Sequence, residues 1–352
     1  MPEQVSRRQP GLGLSEAKEV RDAKGATGDD GVEDDEGVKG EMGAKDVGSA
    51  KDAKTDRGND DAQGEKGRTT IAALLRQTGL PWREARRLLA EVLDMSVTWL
   101  IAHDQDVPAP PVAERFHALA ARRAAGEPLA YVLGWREFYG HRFAVSPAVL
   151  IPRPETEGLV EVALECLAGQ AEPRVLDLGT GSGAIALSVA LARPDAEVWA
   201  TDFSTDALTV ARENAARLGA AVDFAQGSWW DALAPAQQGG FAVIVSNPPY
   251  IAADDPHLGR DGLPHEPRDA LTDGGDGLAH LRTLVRGAPR WLRPDGWLWL
   301  EHGYDQAETV RALFAEHPGW RQIASRRDLA GIERLTGASW RPDGVAAPSY
   351  NA

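Results

Sequence analysis

Cysteine is nearly absent from this 352-residue chain, where Cys166 stands alone. One thiol makes no internal disulfide and no Cys-based zinc or iron–sulfur site, so a reducing compartment is expected, with the cytoplasm as default. Basic charge is scarce as well. Against 53 acidic residues stand 38 lysines and arginines, a net charge of −15 with pI near 5.0. That balance disfavours a protein that must neutralise many phosphates, and no direct nucleic-acid partner is expected. Long apolar runs are missing too, none approaching the roughly 18 residues of a membrane span. The opening MPEQVSRRQPGLGL lacks the apolar stretch of a signal peptide, and the many acids of the N-terminal region argue against a transit peptide, so no membrane partner is expected. A monomer is the default.

Aromatics are absent from residues 1–68, which carry 17 acids, 12 bases and 12 glycines; Trp82 is the first aromatic. Such a segment cannot bury enough apolar area to offset ordering entropy and reads as a disordered acidic tail. Its KDAK-like pieces have too few apolar positions for a helical stripe. It holds −5 of the −15, leaving −10 for the remainder.

Over 69–134 apolar residues recur at three- and four-residue spacing: Ile71, Leu74 and Leu75, then Leu88, Leu89, Val92 and Leu93, then Phe116, Leu119 and Ala120. Pro81, Pro108, Pro110 and Pro111 stand near helix starts, and Gly79 and Gly126 near ends. This predicts a small all-α domain. The segment 135–151 begins with two short aromatic and β-branched runs around Gly140-His141, which suggests a hairpin linker. Over 152–340 strands are predicted at Arg174–Leu178, Glu197–Thr201, Val222–Ala225, Phe241–Ser246 and Trp297–Glu301, with helices at Ala184–Ala192, Thr205–Leu218 and Leu278–Leu292. Alternation of this kind specifies an α/β fold with a Rossmann-like, mostly parallel sheet, and residues 341–352 form a C-terminal tail. Ligands in such folds bind beyond the carboxyl ends of the strands, at the topological switch point.

The first loop of that kind is Asp177-Leu178-Gly179-Thr180-Gly181-Ser182-Gly183. Alternating glycines let the backbone turn sharply and approach a ligand, and the following helix N-terminus offers free N–H groups. The spacing fits NAD and S-adenosylmethionine alike. Asp202, ending the next strand about twenty residues later, either receives the ribose hydroxyls or caps the helix near Thr205. Asp177 either braces the loop or accepts from a cofactor amine.

The sharper signal is Asn247-Pro248-Pro249-Tyr250, directly after the buried strand FAVIV. Two prolines stop the strand and remove two donors, so carbonyls and the Asn247 amide oxygen stay free to accept. That is a cup for an –NH2 group. If Asn247 and the Pro248 carbonyl each accept one N–H, the nitrogen lone pair is aimed at an electrophilic methyl, with Tyr250 packed on the flat group. Asn247 and Pro248 are the catalytic candidates, and Asn247 also borders the cofactor.

These segments together resemble the protein-(glutamine-N5) methyltransferases that modify peptide chain release factors, the HemK or PrmC family. The resemblance covers about residues 69–340. It rests on GEPLAY at 126–131 with GWREF at 134–138, LIPRPETE at 150–157, DLGTGSG at 177–183, Asp202, NPPYI at 247–251, DPHL at 255–258 and HEPRDAL at 265–271. It implies a helical domain that helps recognise the release factor, joined to a class I S-adenosylmethionine-dependent methyltransferase domain, with no metal. It implies cofactor contacts at Asp177, Leu178, Gly179, Thr180, Gly181, Asp202, Trp229 and Asn247, and a glutamine seat at Asn247, Pro248, Pro249 and Tyr250. Ser228 stands where the family often has an acid, which leaves Trp229 and Trp230 both open as the adenine contact. The activity implied is methylation of the Gly-Gly-Gln glutamine in translation termination.

PRPETE reads equally as a helix start and as a pocket-shaping segment, and Glu301-His302-Gly303 as a turn or a binding element. His257 beside Asp254 and Asp255 is a weak metal candidate. Trp291, Trp297 and Trp299 are expected in the core. The rival activities are amino methylation of adenine or guanine in DNA or RNA, through the same NPPY cup, and an NAD-dependent oxidation, which leaves NPPY idle. A non-enzymatic cofactor-binding and docking module is the third alternative.

Overall fold

The computed structural model describes residues 69–260 and 262–342. The expectations for residues 1–68 and for most of the C-terminal tail lie outside the described residues.

Five helices open the described chain: α1 (Ile71–Gln77), α2 (Trp82–Leu93), α3 (Val97–Ala102), α4 (Pro110–Ala124) and α5 (Leu129–Leu133). Thr70 and Ser96 cap α1 and α3 by accepting from backbone N–H groups, and Pro110 supplies the first turn of α4. Ile71, Leu74, Leu88, Leu89, Leu100 and Phe116 form their common core. Gly134 ends α5 with a left-handed φ of 81°, a conformation that costs glycine little. The strands β1 (Trp135–Phe138) and β2 (His141–Ala144) pair antiparallel from Trp135↔Ala144 to Phe138↔His141. Tyr139 and Gly140, both at positive φ, make the two-residue turn that this hairpin requires.

The remaining chain builds a seven-stranded sheet. Its strands are β3 (Arg174–Leu178), β4 (Glu197–Asp202), β5 (Asp223–Gln226), β6 (Phe241–Ser246), β7 (Leu292–Glu301), β8 (Trp320–Arg327) and β9 (Glu333–Trp340). Their order is β5-β4-β3-β6-β7-β9-β8. The pairs from β5 through β7 are parallel, and β9 pairs antiparallel with both β7 and β8. The helices are α6 (Glu157–Cys166), α7 (Ala184–Ala192), α8 (Thr205–Leu218), α9 (Ala279–Gly287) and α10 (Ala307–Ala315). Apolar side chains pack in two layers, one containing α6, α7 and one face of the sheet, the other containing α9, α10 and the opposite face. This is the expected Rossmann-like architecture, and its switch point lies between β3 and β6.

The expected helix over Leu278–Leu292 is shorter than the pattern suggested. It ends at Gly287, a 3-10 turn covers Ala288–Arg290, and Leu292 already begins β7. Pro289 removes an N–H there, and Leu292 pairs with Phe241 across the sheet. The strands β8 and β9 lie beyond the five that the alternation predicted. Among the described residues no helix is long and apolar enough to cross a membrane.

Candidate active site

The strand ends on either side of the switch point open into a cavity of about 690 Å³, within the roughly 300–1,000 Å³ typical of ligand sites. Gly179, Thr180, Gly181, Asp202, Trp229, Asn247 and Pro249 all line it. Gly179, Gly181 and Gly183 have φ of 73°, 55° and 84°, so each glycine supplies a left-handed turn that an L side chain resists. A Cβ on Gly181 would meet nothing within 4 Å, which leaves its backbone open to a ligand.

Asp177 and Leu178, expected among the cofactor contacts, have fully buried side chains set back from the cavity. The Asp177 carboxylate accepts from the Thr180 hydroxyl at 2.7 Å and from the Ala186 N–H at 3.2 Å. These bonds brace the glycine loop through Oδ2, while Oδ1 is buried with no hydrogen-bond partner among the described residues. Burial pushes its carboxyl up to about 7, against the hydrogen bonds from Thr180 and Ala186. The Leu178 carbonyl accepts from the Ser246 hydroxyl at 2.7 Å, tying β3 to β6 at the switch point.

Asp202 accepts from the Gly181 N–H at 2.9 Å and the Ser204 N–H at 3.0 Å. The cap of α8 is Ser204, whose hydroxyl accepts from Ala207, so the helix-cap reading of Asp202 is replaced. A carboxylate has about four acceptor sites, and two taken by backbone leave others for hydroxyls in the cavity. Burial raises its carboxyl above the ordinary value.

Trp229 and Trp230 part company at this site. Trp229, at φ 48°, turns into the cavity; its indole N–H donates to His280 Nδ1 at 3.2 Å, and a Cβ on Gly179 would lie 3.4 Å from its ring. Trp230 turns away, donates to the Thr283 carbonyl at 3.1 Å and stacks on Trp291. Phe203, half exposed, adds a second flat wall, and His280 a third. Neither was singled out in the sequence; Phe203 beside the strand-end acid was the available signal. Leu150 and Thr156 also line this cavity, so PRPETE is both helix start and pocket wall.

A smaller cavity of about 70 Å³ adjoins the first and is lined by Arg153, Pro248, Tyr250, Ile251, Leu263 and Leu271. Leu150, Asn247 and Ala270 line both, so Asn247 stands at the junction. Its Nδ2 donates to Thr156 Oγ1 at 3.2 Å. Among the described residues no donor reaches its Oδ1 or the Pro248 carbonyl. The Tyr250 hydroxyl donates to Glu301 Oε1 at 3.2 Å, and its backbone carbonyl accepts from Gln306 at 3.0 Å.

The loop after NPPY closes over this edge. Glu266, buried, accepts from the Ile151 N–H at 2.9 Å and pairs with Arg153, joining HEPRDAL to LIPRPETE. Gly126 and Pro128 of GEPLAY lie against His265 and Gly262. Glu301 and His302 are buried and line neither cavity. His257, the weak metal candidate, is an exposed turn residue paired with Asp255 at 2.7 Å. Trp291 and Trp299 are buried core residues, as expected, and Trp297 is partly buried.

Two family models match the chain, the methyltransferase small domain over residues 159–317 and the PrmC N-terminal domain over residues 68–134. The release factor glutamine methyltransferase of Bordetella pertussis is 58% identical over 269 residues, spanning 76% of this chain and 98% of its own. That of Burkholderia pseudomallei is 53% identical over 274 residues, spanning 76% and 95%. The Neisseria gonorrhoeae protein of the same name is 51% identical over 257 residues, spanning 73% and 93%. With its Rossmann-like sheet, glycine loop and NPPY edge, the chain belongs to the family of release factor glutamine methyltransferases and is itself a methyltransferase.

Proposed function

We propose that this enzyme transfers a methyl group from S-adenosylmethionine to the side-chain amide nitrogen of the glutamine in the Gly-Gly-Gln motif of peptide chain release factors. The observation that carries the reading is Asn247: an open amide oxygen beside an open Pro248 carbonyl, at the junction of a cofactor-sized cavity and a narrow one. A nucleoside sulfonium fits the larger space. Gly179 to Gly181 would lie along it, Asp202 would receive the ribose hydroxyls, and Trp229 with Phe203 would flank the base. When bound it supplies an electrophilic methyl on a positively charged sulfur.

The chain's own residues do the rest. An amide nitrogen is a poor nucleophile because its lone pair is delocalised into the carbonyl. Asn247 Oδ1 and the Pro248 carbonyl accept its two N–H groups, which fixes the nitrogen and points its lone pair across the junction. The two N–H groups become stronger donors to those oxygens, and more acidic, as the nitrogen gains positive character, so no strong base is required. The new C–N bond takes its electrons from the nitrogen, the old S–C pair stays on sulfur, and the proton leaves to solvent. Tyr250 packs on the flat amide, its hydroxyl held away by Glu301.

Residues 69–134 are proposed to meet the release factor, 152–340 to perform transfer, and 135–151 to join them. Both the cytoplasm and a monomer fit this reading. Mass spectrometry of a purified bacterial release factor, after incubation with this protein and S-adenosylmethionine, is expected to place one added methyl on the Gly-Gly-Gln glutamine. An unmodified glutamine under conditions where the donor is consumed would refute the assignment.

A further inference from the structure

Trp229 reaches the cavity from a strained place. Its backbone sits at φ 48°, in the left-handed region that a bulky L residue adopts only under restraint from its surroundings. Its ring lies over the glycine loop, 3.4 Å from where a Gly179 Cβ would stand. Glycine there leaves room for the ring but holds nothing, so the restraint must come from another side.

His280 supplies it. The indole N–H donates to His280 Nδ1 at 3.2 Å, and the two rings meet at 5.1 Å between centroids, tilted by 55°. An indole N–H only donates, so the nitrogen that faces it must carry a lone pair. The one ring proton is then on Nε2, and the imidazole is neutral. A protonated imidazole has N–H on both nitrogens and would meet the indole donor against donor. The backbone behind His280 is itself fixed. Asp273 accepts from the N–H groups of Gly275 at 2.8 Å, Gly277 at 3.0 Å and Ala279 at 2.9 Å, which sets the start of α9 one residue before His280.

Among the charged groups near the ring, Asp273 favours its protonated form, but burial opposes this and prevails, holding the imidazole below its ordinary value. Asp276 and Arg282 neutralise each other at 2.7 Å, and Asp231 is exposed on the turn that carries Trp229. Asp202, Asp206, Arg268 and Asp269 stand elsewhere on the cavity wall.

We infer that His280 is a positioning residue: neutral, it holds the Trp229 indole against the glycine loop, and its protonation releases that wall and weakens cofactor binding. The inference rests on the reading of the larger cavity as the S-adenosylmethionine site.

Calorimetry with S-adenosylhomocysteine, which lacks the sulfonium charge, tests this without turnover and without direct repulsion between two cations. His280→Leu removes the acceptor and is expected to weaken binding about tenfold near neutral pH, the cost of leaving a partly buried donor without its partner. His280→Asn places an amide oxygen close to the position of Nδ1 and cannot titrate; it is expected to recover most of that loss. The raised carboxyls of Asp202 and Asp177 also respond to pH, so the quantity read is the ratio of the wild-type Kd to that of His280→Asn. It should stay within about twofold of one above about pH 7 and rise to about threefold or more near pH 5. In a Trp229→Phe background, which keeps a flat ring without the N–H, His280→Leu should add little further loss. A second readout needs no ligand: in the wild type the Trp229 indole N–H resonance, assigned by its absence in Trp229→Phe, should shift as pH falls over the same range. A Leu loss that Asn does not restore, one undiminished beside Trp229→Phe, a constant ratio, or an unshifted indole resonance would each overturn the inference. Failure of the wild type to bind S-adenosylmethionine or S-adenosylhomocysteine would instead refute the cofactor reading, and the indole resonance would still decide this one.

Discussion

Asn247 is the residue on which the chemistry turns, because it alone offers an open side-chain acceptor where the two cavities meet. Asn247→Ala is expected to lower kcat/KM by about a hundredfold or more, since misplacing a reacting atom by an ångström costs that much. Cofactor affinity, measured by calorimetry, should change far less. Asp202→Asn is expected to do the reverse. It replaces charge-assisted bonds worth about 1.5–3 kcal/mol, so cofactor affinity should fall roughly ten- to a hundredfold with a smaller effect on kcat. Much at this scale was legible in the sequence: the glycines, Asp202 and NPPY carry their chemistry in spacing that any strand–loop–helix unit imposes. The choice between Trp229 and Trp230 was not, because it depends on a single positive φ at Trp229. Phe203 and His280 were missed as site residues, since folding brings them to the cavity from separate loops and neither belongs to a motif with its own chemistry, whereas Thr156 lies in the PRPETE segment that the sequence already offered as a pocket wall.

At the scale of elements, the glycine loop works because α7 can begin immediately behind it. Gly183 caps α7 at φ 84°, and a Cβ there would lie 3.0 Å from Leu187 Cδ1 and 3.3 Å from Ala211 Cβ. Gly183→Ala combines left-handed strain of about 1–2 kcal/mol with that crowding. Urea unfolding should show a loss of roughly 2 kcal/mol, and cofactor affinity should fall with it. The strands that bury every residue, such as β6, were plain in the sequence because continuous apolar runs have few other uses. The strands β8 and β9 escaped. Arginine-rich WRQIASRR is exposed over much of its length at the sheet edge, where among the described residues β9 is its strand neighbour.

For the whole molecule, several segments that carry the family resemblance touch: GEPLAY lies against HEPRDAL, and HEPRDAL is joined to LIPRPETE. The Tyr131 hydroxyl of GEPLAY donates to the Val149 carbonyl at 2.6 Å, fastening the helical region to the segment that precedes LIPRPETE. Tyr131→Phe should cost about 1 kcal/mol in chemical unfolding, the net worth of such a bond. Buried carboxyls give the fold a pH signature. Burial raises Asp177 and Glu301 to about 7 in the folded state, above their ordinary values of 3.8 and 4.5. A raised carboxyl stabilises the fold below its unfolded pKa and loses that contribution as pH rises through the folded one. Partly buried His280 and buried His302, both held below 6.5, act in the opposite sense over part of this range. The wild type must therefore be compared with Asp177→Asn: relative to that variant it should lose on the order of 1–3 kcal/mol between pH 4 and pH 7 and level off above. A constant difference across that window would show that Asp177 does not titrate there.

In the proposed reaction the NPPY cup receives a protein amide and not a nucleobase. The most direct measurement offers both at once: one reaction containing methyl-labelled S-adenosylmethionine, intact release factor, and an excess of DNA and RNA, with the label then located by fractionation and peptide mapping. Label is expected on the Gly-Gly-Gln glutamine, abolished by Asn247→Ala. Label on adenine or guanine, with the glutamine unmodified, would contradict it.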